Sequence, residues 1–238
     1  MDSNHTSHHM SHKFDEEMEK LRNQVLKMGG LVEQQITGAI DALQNTNVQN
    51  AKTIIRRDHK VNALEVAIDE ACTQILARRQ PAASDLRMVV AVIKTITDLE
   101  RIGDEAEKIA RMALNLGEKD INFQSRYSGI RHLADQVKRM VHDVLDAYAR
   151  LDVDAALKVV RDDDDADKEY QNMIRLLITY MMEDPRTISE VLDVIWAARA
   201  LERIGDHAKN IGEYVIYLVK GKDIRHLDLD DVEKDILS

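Results

Sequence analysis

The hexapeptide Leu-Glu-Arg-Ile-Gly-Asp occurs at Leu99–Asp104 and again, letter for letter, at Leu201–Asp206, 102 residues further on in a chain of 238. A duplication on that scale restricts the fold more than any local propensity, because each unit must bury its apolar face on itself or on its twin. The register extends well beyond the hexapeptide. Between residues 86–104 and 188–206, nine of 19 positions agree, with Val89, Val92 and Ile93 joining the six. Upstream, Ala39–Leu43 aligns with Val144–Tyr148, and Arg56 and Asp58 align with Arg161 and Asp163, all at an offset of 105. Pro81 and Pro185 lie 104 apart. The drift from 105 to 102 places short deletions in the connections, where they are tolerated.

Each unit reads as three helices. Phe14, Met18, Leu21, Val25, Met28, Val32, Ile36, Ile40 and Leu43 recur at spacings of three and four, which predicts a helix from about Ser11 to Gln44. Gly29 and Gly30 inside it imply close approach by a neighbouring helix. Asn45–Asn47 reads as a turn, with Asn47 as N-cap of a second helix, Val48–Arg79, that Gln80-Pro81 stops. A third is expected from Ser84 or Asp85 to Leu116, with Gly117 as C-cap. After a connector at Phe123–Ser128 the scheme repeats: helices at Gly129–Leu151 and Val153–Met182, a break at Asp184-Pro185, and a sixth helix to Val219 ending at Gly221. The expected fold is all-α, a tandem repeat of two antiparallel three-helix bundles. Residues 1–12 are expected as a disordered leader, 13–120 as the first repeat, 121–221 as the second, and 222–238 as a loosely held acidic tail.

Composition supports long amphipathic helices: 32% charged residues, 4% aromatic, two prolines and nine glycines. A formal charge of −10 argues against nucleic acid as the main partner. No apolar run reaches the roughly 20 residues of a membrane span, and the polar N-terminus is no signal peptide. Together with the lone Cys72, this predicts a cytoplasmic protein that meets a membrane only through partners. Cys72 sits among Ile68, Ile75 and Leu76 and reads as a core residue, and no phosphate-cradling glycine loop or catalytic constellation is present. Gly103, Gly205 and Gly212 read as close-packing points, His207 as peripheral, and Trp196 as a flank residue.

The chemistry lies in the acids. At 100° per residue, Leu86, Val89, Val90, Ile93 and Thr97 share a band of about 100°, read as the inward face, and Glu100 and Asp104 continue it. Ile188, Val191, Leu192 and Ile195 lead in the same way into Glu202 and Asp206. The hexapeptide's Leu and Ile then belong to a second, outward-rotated apolar face. On the second helix Asp58, Asn62, Glu65 and Asp69 fall within about 60°. The second repeat keeps Asp163 and Asp167 but has Tyr170 in place of Glu65. Carboxylates at an apolar edge must be paired, protonated or metal-bound. Either Arg101, Arg203, Arg56 or nearby lysines neutralise them, or facing helices close an all-oxygen cage suited to Mg, Ca, Mn or ferric iron. No Glu has a His three residues later, as a ferritin-like oxidase would need.

The duplicated Glu-Arg-Ile-Gly-Asp, the run Val66–Cys72, Arg79–Pro81, Tyr180–Pro185 and Met28–Glu33 together resemble the PhoU family from about His12 to Gly221. The resemblance implies two similar three-helix bundles in a cytoplasmic, often dimeric protein that is no enzyme. It implies a negative regulator of high-affinity phosphate uptake and of the phosphate-starvation response. The partners implied are the cytoplasmic ATPase of the phosphate ABC transporter and the phosphate-sensing histidine kinase, which the regulator would bridge. Some members bind metal clusters through Glu/Asp-x-x-x-Asp motifs. That carries over to Glu100, Asp104, Asp58, Glu65 and Asp69, and to Glu202, Asp206, Asp163 and Asp167, with Fe, Mg, Mn or Zn as candidate ions and none required. Asn62 and Tyr170 depart from the full acidic motif. The alternative function is a carboxylate-cage metal-binding protein or metalloenzyme.

Overall fold

A computed structural model of the chain describes residues 3–81, 83–118, 129–225, 227, 229 and 232. Its elements are α1 (Ser3–Gln44), α2 (Val48–Arg57), α3 (His59–Arg79), α4 (Ala83–Glu118), α5 (Gly129–Arg150), α6 (Val153–Glu183), a 3-10 turn (Pro185–Thr187) and α7 (Ile188–Lys220). The described residues contain no strand, and none of their helices is long and apolar enough to cross a membrane. The connector at Phe123–Ser128 lies outside the described residues.

Local chemistry sets the ends. Asn47 caps α2 by accepting from Asn50 N at 3.0 Å, and 105 residues later Asp152 caps α6 by accepting from Ala155 N at 3.0 Å. Gly221 ends α7 in the left-handed region at φ 71°, where a Cβ would be strained.

Four boundaries differ from the expected ones. The helical ladder of α1 begins at Ser3, inside the stretch expected as a leader: no Gly or Pro between Ser3 and Lys13 stops it propagating. The expected second helix is one rod broken at Asp58, where Val61 N bonds Asp58 O at 2.9 Å in a tightened turn. The α4 helix runs through Gly117 to Glu118. Gly117 serves close packing instead of a cap: a Cβ there would stand 2.6 Å from Val48 Cγ2 and 3.1 Å from Thr46 O. Past Lys222, Ile224 and Val232 are buried in the core, so part of the tail is held down by apolar contact.

The repeats join through α4 and α7, which run antiparallel. Lys94 stands over the rings of Tyr214 and Tyr217, Asp98 meets His207, Glu105 meets Arg203, and Asn115 meets Asp193. Each central helix also packs on its own bundle, α4 on α1, α2 and α3, and α7 on α5 and α6. The expected inward face holds only in part. Val89 and Val191 of that stripe have no exposed surface, but Leu86, Ile188 and Leu192 are exposed. Leu99, Ile102, Leu201 and Ile204, read as an outward-rotated face, are fully buried in the core. The stripe therefore runs along the edge of the core, with Glu100 and Asp104, or Glu202 and Asp206, at its far end.

Candidate functional site: two carboxylate grooves

In the first repeat, Asp58 sits at the α2–α3 break. Its carboxylate accepts from Gln35 Nε2 of α1 at 2.8 Å and from Asn62 Nδ2 at 3.2 Å. Gly103 leaves room for this: a Cβ there would lie 3.4 Å from Gln35 Oε1 and 3.6 Å from Asp58 Oδ1. Arg101 stands 3.6 Å from Glu100 and 3.8 Å from Asp104, and is itself exposed. Burial, and then the neighbouring Asp104, raises the Glu100 carboxyl above its ordinary value. Burial followed by Asp58 does the same to Asp104, and burial followed by Asp69 to Glu65. So α3 and α4 do bring these acids into one field. Two buried oxygens there, Gln35 Oε1 and Asn62 Oδ1, have no hydrogen-bond donor among the described residues, and Gln35 is only 4% exposed.

The second groove, between α6 and α7, holds its own cations. Asp163 is 2% exposed and accepts from Lys209 Nζ at 2.9 Å, with Gly205 opposite it as Gly103 is opposite Asp58. Glu202 is paired with Arg199, whose guanidinium also lies 5.8 Å over the Tyr170 ring. One hexapeptide period earlier the first repeat has Glu107 and Thr97 where the second has Lys209 and Arg199. The second groove therefore carries two cations, Lys209 and Arg199, that the first lacks, and one acid fewer, with Tyr170 in place of Glu65.

Burial, with Asp206 adding repulsion, pushes the Glu202 carboxyl up to about 7, and its Oε2 is buried without a donor. Asp206 is raised by burial and by Asp167. A carboxyl raised from 4.5 to about 7 favours the folded state fully below pH 4.5 and ceases to do so as pH climbs through 7. Glu202→Gln should therefore stabilise the protein at pH 8 and leave it nearly unchanged at pH 4.5. Urea midpoints at the two pH values check this, and an equal shift at both would refute it.

Among the described residues, no three His, Cys, Asp or Glu side chains converge closely enough to hold a metal ion as they stand. Gathering Glu100, Asp104 and Asp58 onto one cation needs side-chain rotation. The unpartnered Gln35 and Asn62 oxygens are ready neutral ligands there; in the second groove the Lys209 ammonium already stands in the place of a cation beside Asp163. Of the expected neutralisers, Arg101 stays with Glu100 and Asp104, but Arg203 crosses to Glu105 of α4 at 3.2 Å. His207 is not peripheral: Nδ1 lies 2.6 Å from the buried Asp98, which also accepts from Asn210 at 3.1 Å. Asp98 and Glu105 flank the fully buried hexapeptide Leu and Ile, and that position was the available sign of an interface role. Gln35, a lone amide in an apolar stripe, gave a similar sign. Cys72 is buried, and its thiol is pushed up to about 12 by burial, which removes it as a nucleophile.

A family profile described as the PhoU domain matches residues 25–113 and 130–215, one match per repeat. The chain is 53% identical to the Phosphate-specific transport system accessory protein PhoU homolog of Pseudomonas putida, over 94% of this chain and 87% of that one. It is 48% identical to the Phosphate-specific transport system accessory protein PhoU of Escherichia coli K12, over 98% and 96%. Among solved structures it is similar to PhoU from Pseudomonas aeruginosa, with TM-score 0.85 at 52% identity, over 88% of this chain and 100% of that one. The phosphate transport system regulatory protein PhoU from Streptococcus pneumoniae gives TM-score 0.81 at 29% identity, over 88% and 98%.

Proposed function

Because the chain belongs to the PhoU family, we propose that it is an accessory protein of phosphate transport that acts as a negative regulator of high-affinity uptake and of the phosphate-starvation response. It works as a cytoplasmic, non-enzymatic adaptor and homodimer, bridging the transporter's ATPase and the phosphate-sensing histidine kinase. What carries the reading is that both repeats match the family and that relatives named as phosphate-transport accessory proteins align over nearly the whole chain. Tagged protein drawn from phosphate-replete cells should retain both the ATPase and the kinase; recovery of neither would overturn the reading.

A second reading, cation binding in the first groove, is favoured by the donorless Gln35 and Asn62 oxygens beside Asp58. The second groove fits a cation less well, because Lys209 and Arg199 already supply charge there. Glu100→Ala with Asp104→Ala should abolish Mn2+ binding in titration calorimetry while helicity stays. If phosphate-dependent repression survives that change, the first groove holds ions without being the signalling surface.

A further inference from the structure

The second repeat exposes a wider apolar surface than the first, where only Leu86 of the aligned positions is an exposed large apolar residue. On α7, Ile188, Leu192 and Trp196 follow one another at i, i+4 and i+8, and all three are exposed, Trp196 at 61%. On α6, Ile178 and Met182 are exposed and lie in the same helical band as Asp163 and Asp167. The aligned positions of the first repeat hold Thr73 and Ala77 for the α6 pair and Lys94 for Trp196. Lys94 is drawn in over Tyr214 and Tyr217 at 5.3 and 5.8 Å. Trp196 has no such cover. Exposing this much apolar surface in one place costs solubility unless something binds there.

The apolar stretch continues directly into charge. At 100° per residue, Ile188, Leu192 and Trp196 fall within a band of about 120° with Glu202 and Asp206, two to three turns on along α7. The α6 wall runs likewise from Met182 and Ile178 down to Asp167 and Asp163. The two walls meet, since Lys209 of α7 bonds Asp163 and Arg199 lies over Tyr170. Four carboxylates face two internal cations, so the lower half of the groove keeps an excess of negative charge. The length from Ile188 to Asp206 is about 27 Å at 1.5 Å per residue.

We propose that the α6–α7 groove docks an amphipathic helix of a partner protein, about five turns long, apolar over its first half and rich in Lys and Arg over its second. Leucine-sized residues cover Trp196, Leu192 and Met182, and the basic residues reach Asp167 and Asp206. The first-repeat groove keeps only Leu86 exposed from this apolar half, with Lys94, Thr73 and Ala77 in the other places, and does not take this ligand. The proposal rests on the adaptor reading and specifies which surface, and which partner chemistry, that role uses.

Trp196 is the one tryptophan in the chain, so its fluorescence reports the groove directly. The probe is a synthetic 18-residue helix with leucines at i, i+3, i+4 and i+7 in its first half and four lysines in its second. It should shift the Trp196 emission to the blue with saturation in the micromolar range. Leu192→Asp, with unchanged circular dichroism, should weaken binding at least tenfold, and Asp167→Asn with Asp206→Asn at least fivefold, with a flatter salt dependence. Leu86→Asp, the first-repeat counterpart of Ile188→Asp, should change nothing. An absent shift, equal binding of a peptide with glutamates in place of the lysines, or equal loss on Leu86→Asp would each overturn the proposal. So would sedimentation showing that Leu192→Asp dissociates a dimer, since the occupant would then be a second copy. Capture of transporter and kinase by a protein that ignores the peptide removes the groove and leaves the adaptor. Peptide binding without capture does the reverse.

Discussion

Leu201→Ala should lose about 2–5 kcal/mol of stability, while Leu192→Ala, nine residues earlier on the same helix, should lose about 0.5 kcal/mol or less. Both remove the same atoms. Leu201 is 0% exposed in the core, so its truncation leaves a cavity. Leu192 is 42% exposed, and its truncation leaves solvent where solvent already was. Leu99→Ala should behave like Leu201→Ala, since it holds the same place in its own repeat and is equally buried. Urea unfolding of the three variants checks this. If Leu192→Ala were the more damaging change, the stripe leading to Glu202 and Asp206 would be the true core face, and the observed packing of the repeats would be wrong.

Lys209→Met should cost about 3–5 kcal/mol near neutral pH, the penalty for leaving a buried charge without its partner. The charge is Asp163, 2% exposed and bonded to Lys209 at 2.9 Å. Burial already raises the Asp163 carboxyl even with Lys209 beside it, and loss of the lysine raises it further. The sign of the pH dependence follows. A carboxyl raised in the folded state contributes fully below its unfolded value and loses that contribution as pH rises through its folded value. The variant's deficit should therefore shrink as pH falls and be greatest in alkali. Asp163→Asn in the Lys209→Met background should recover most of the loss, because the orphan is the charge and not the shape. A deficit independent of pH, or no recovery, would mean that Lys209 acts through packing alone. The corresponding change in the first repeat has no such meaning, as Glu107 stands there.

Much of the fold was legible from the chain. Turn chemistry at Asn47, Gly221 and Asp184-Pro185 acts over three or four residues, and so it placed those caps and that break closely. Glycine positions were legible as contacts where a neighbour was required. Gly212 meets Ala156 O at 3.0 Å from where its Cβ would be, and Gly29 would meet Leu145 at 2.5 Å, although Gly30 faces open space. The acids of the grooves were legible as a set, since helical phase alone puts Glu100 with Asp104 and Asp58 with Glu65 on shared faces. Less legible was what stands across from them. Gln35 comes from α1, 23 residues before Asp58; Lys209 is 46 residues from Asp163; His207 is 109 from Asp98.

By itself, the sequence determined the duplication, the helical repeat, the caps at Asn47 and Gly221, and the periodic placement of carboxylates along one stripe of each central helix. Those are properties of a single helix or of a register between two, and both are written in spacing. Only the tertiary structure decided which of two apolar faces is the core. A helix with two such faces satisfies its periodicity either way, and the choice falls to whichever face the neighbouring helices cover. That choice puts Leu99 and Leu201 inside. It leaves the Glu-x-x-x-Asp stripe open as a groove, neutralised from within in the second repeat and short of donors in the first. It also leaves Trp196 at the mouth of the second groove, on a surface that the fold itself does not cover.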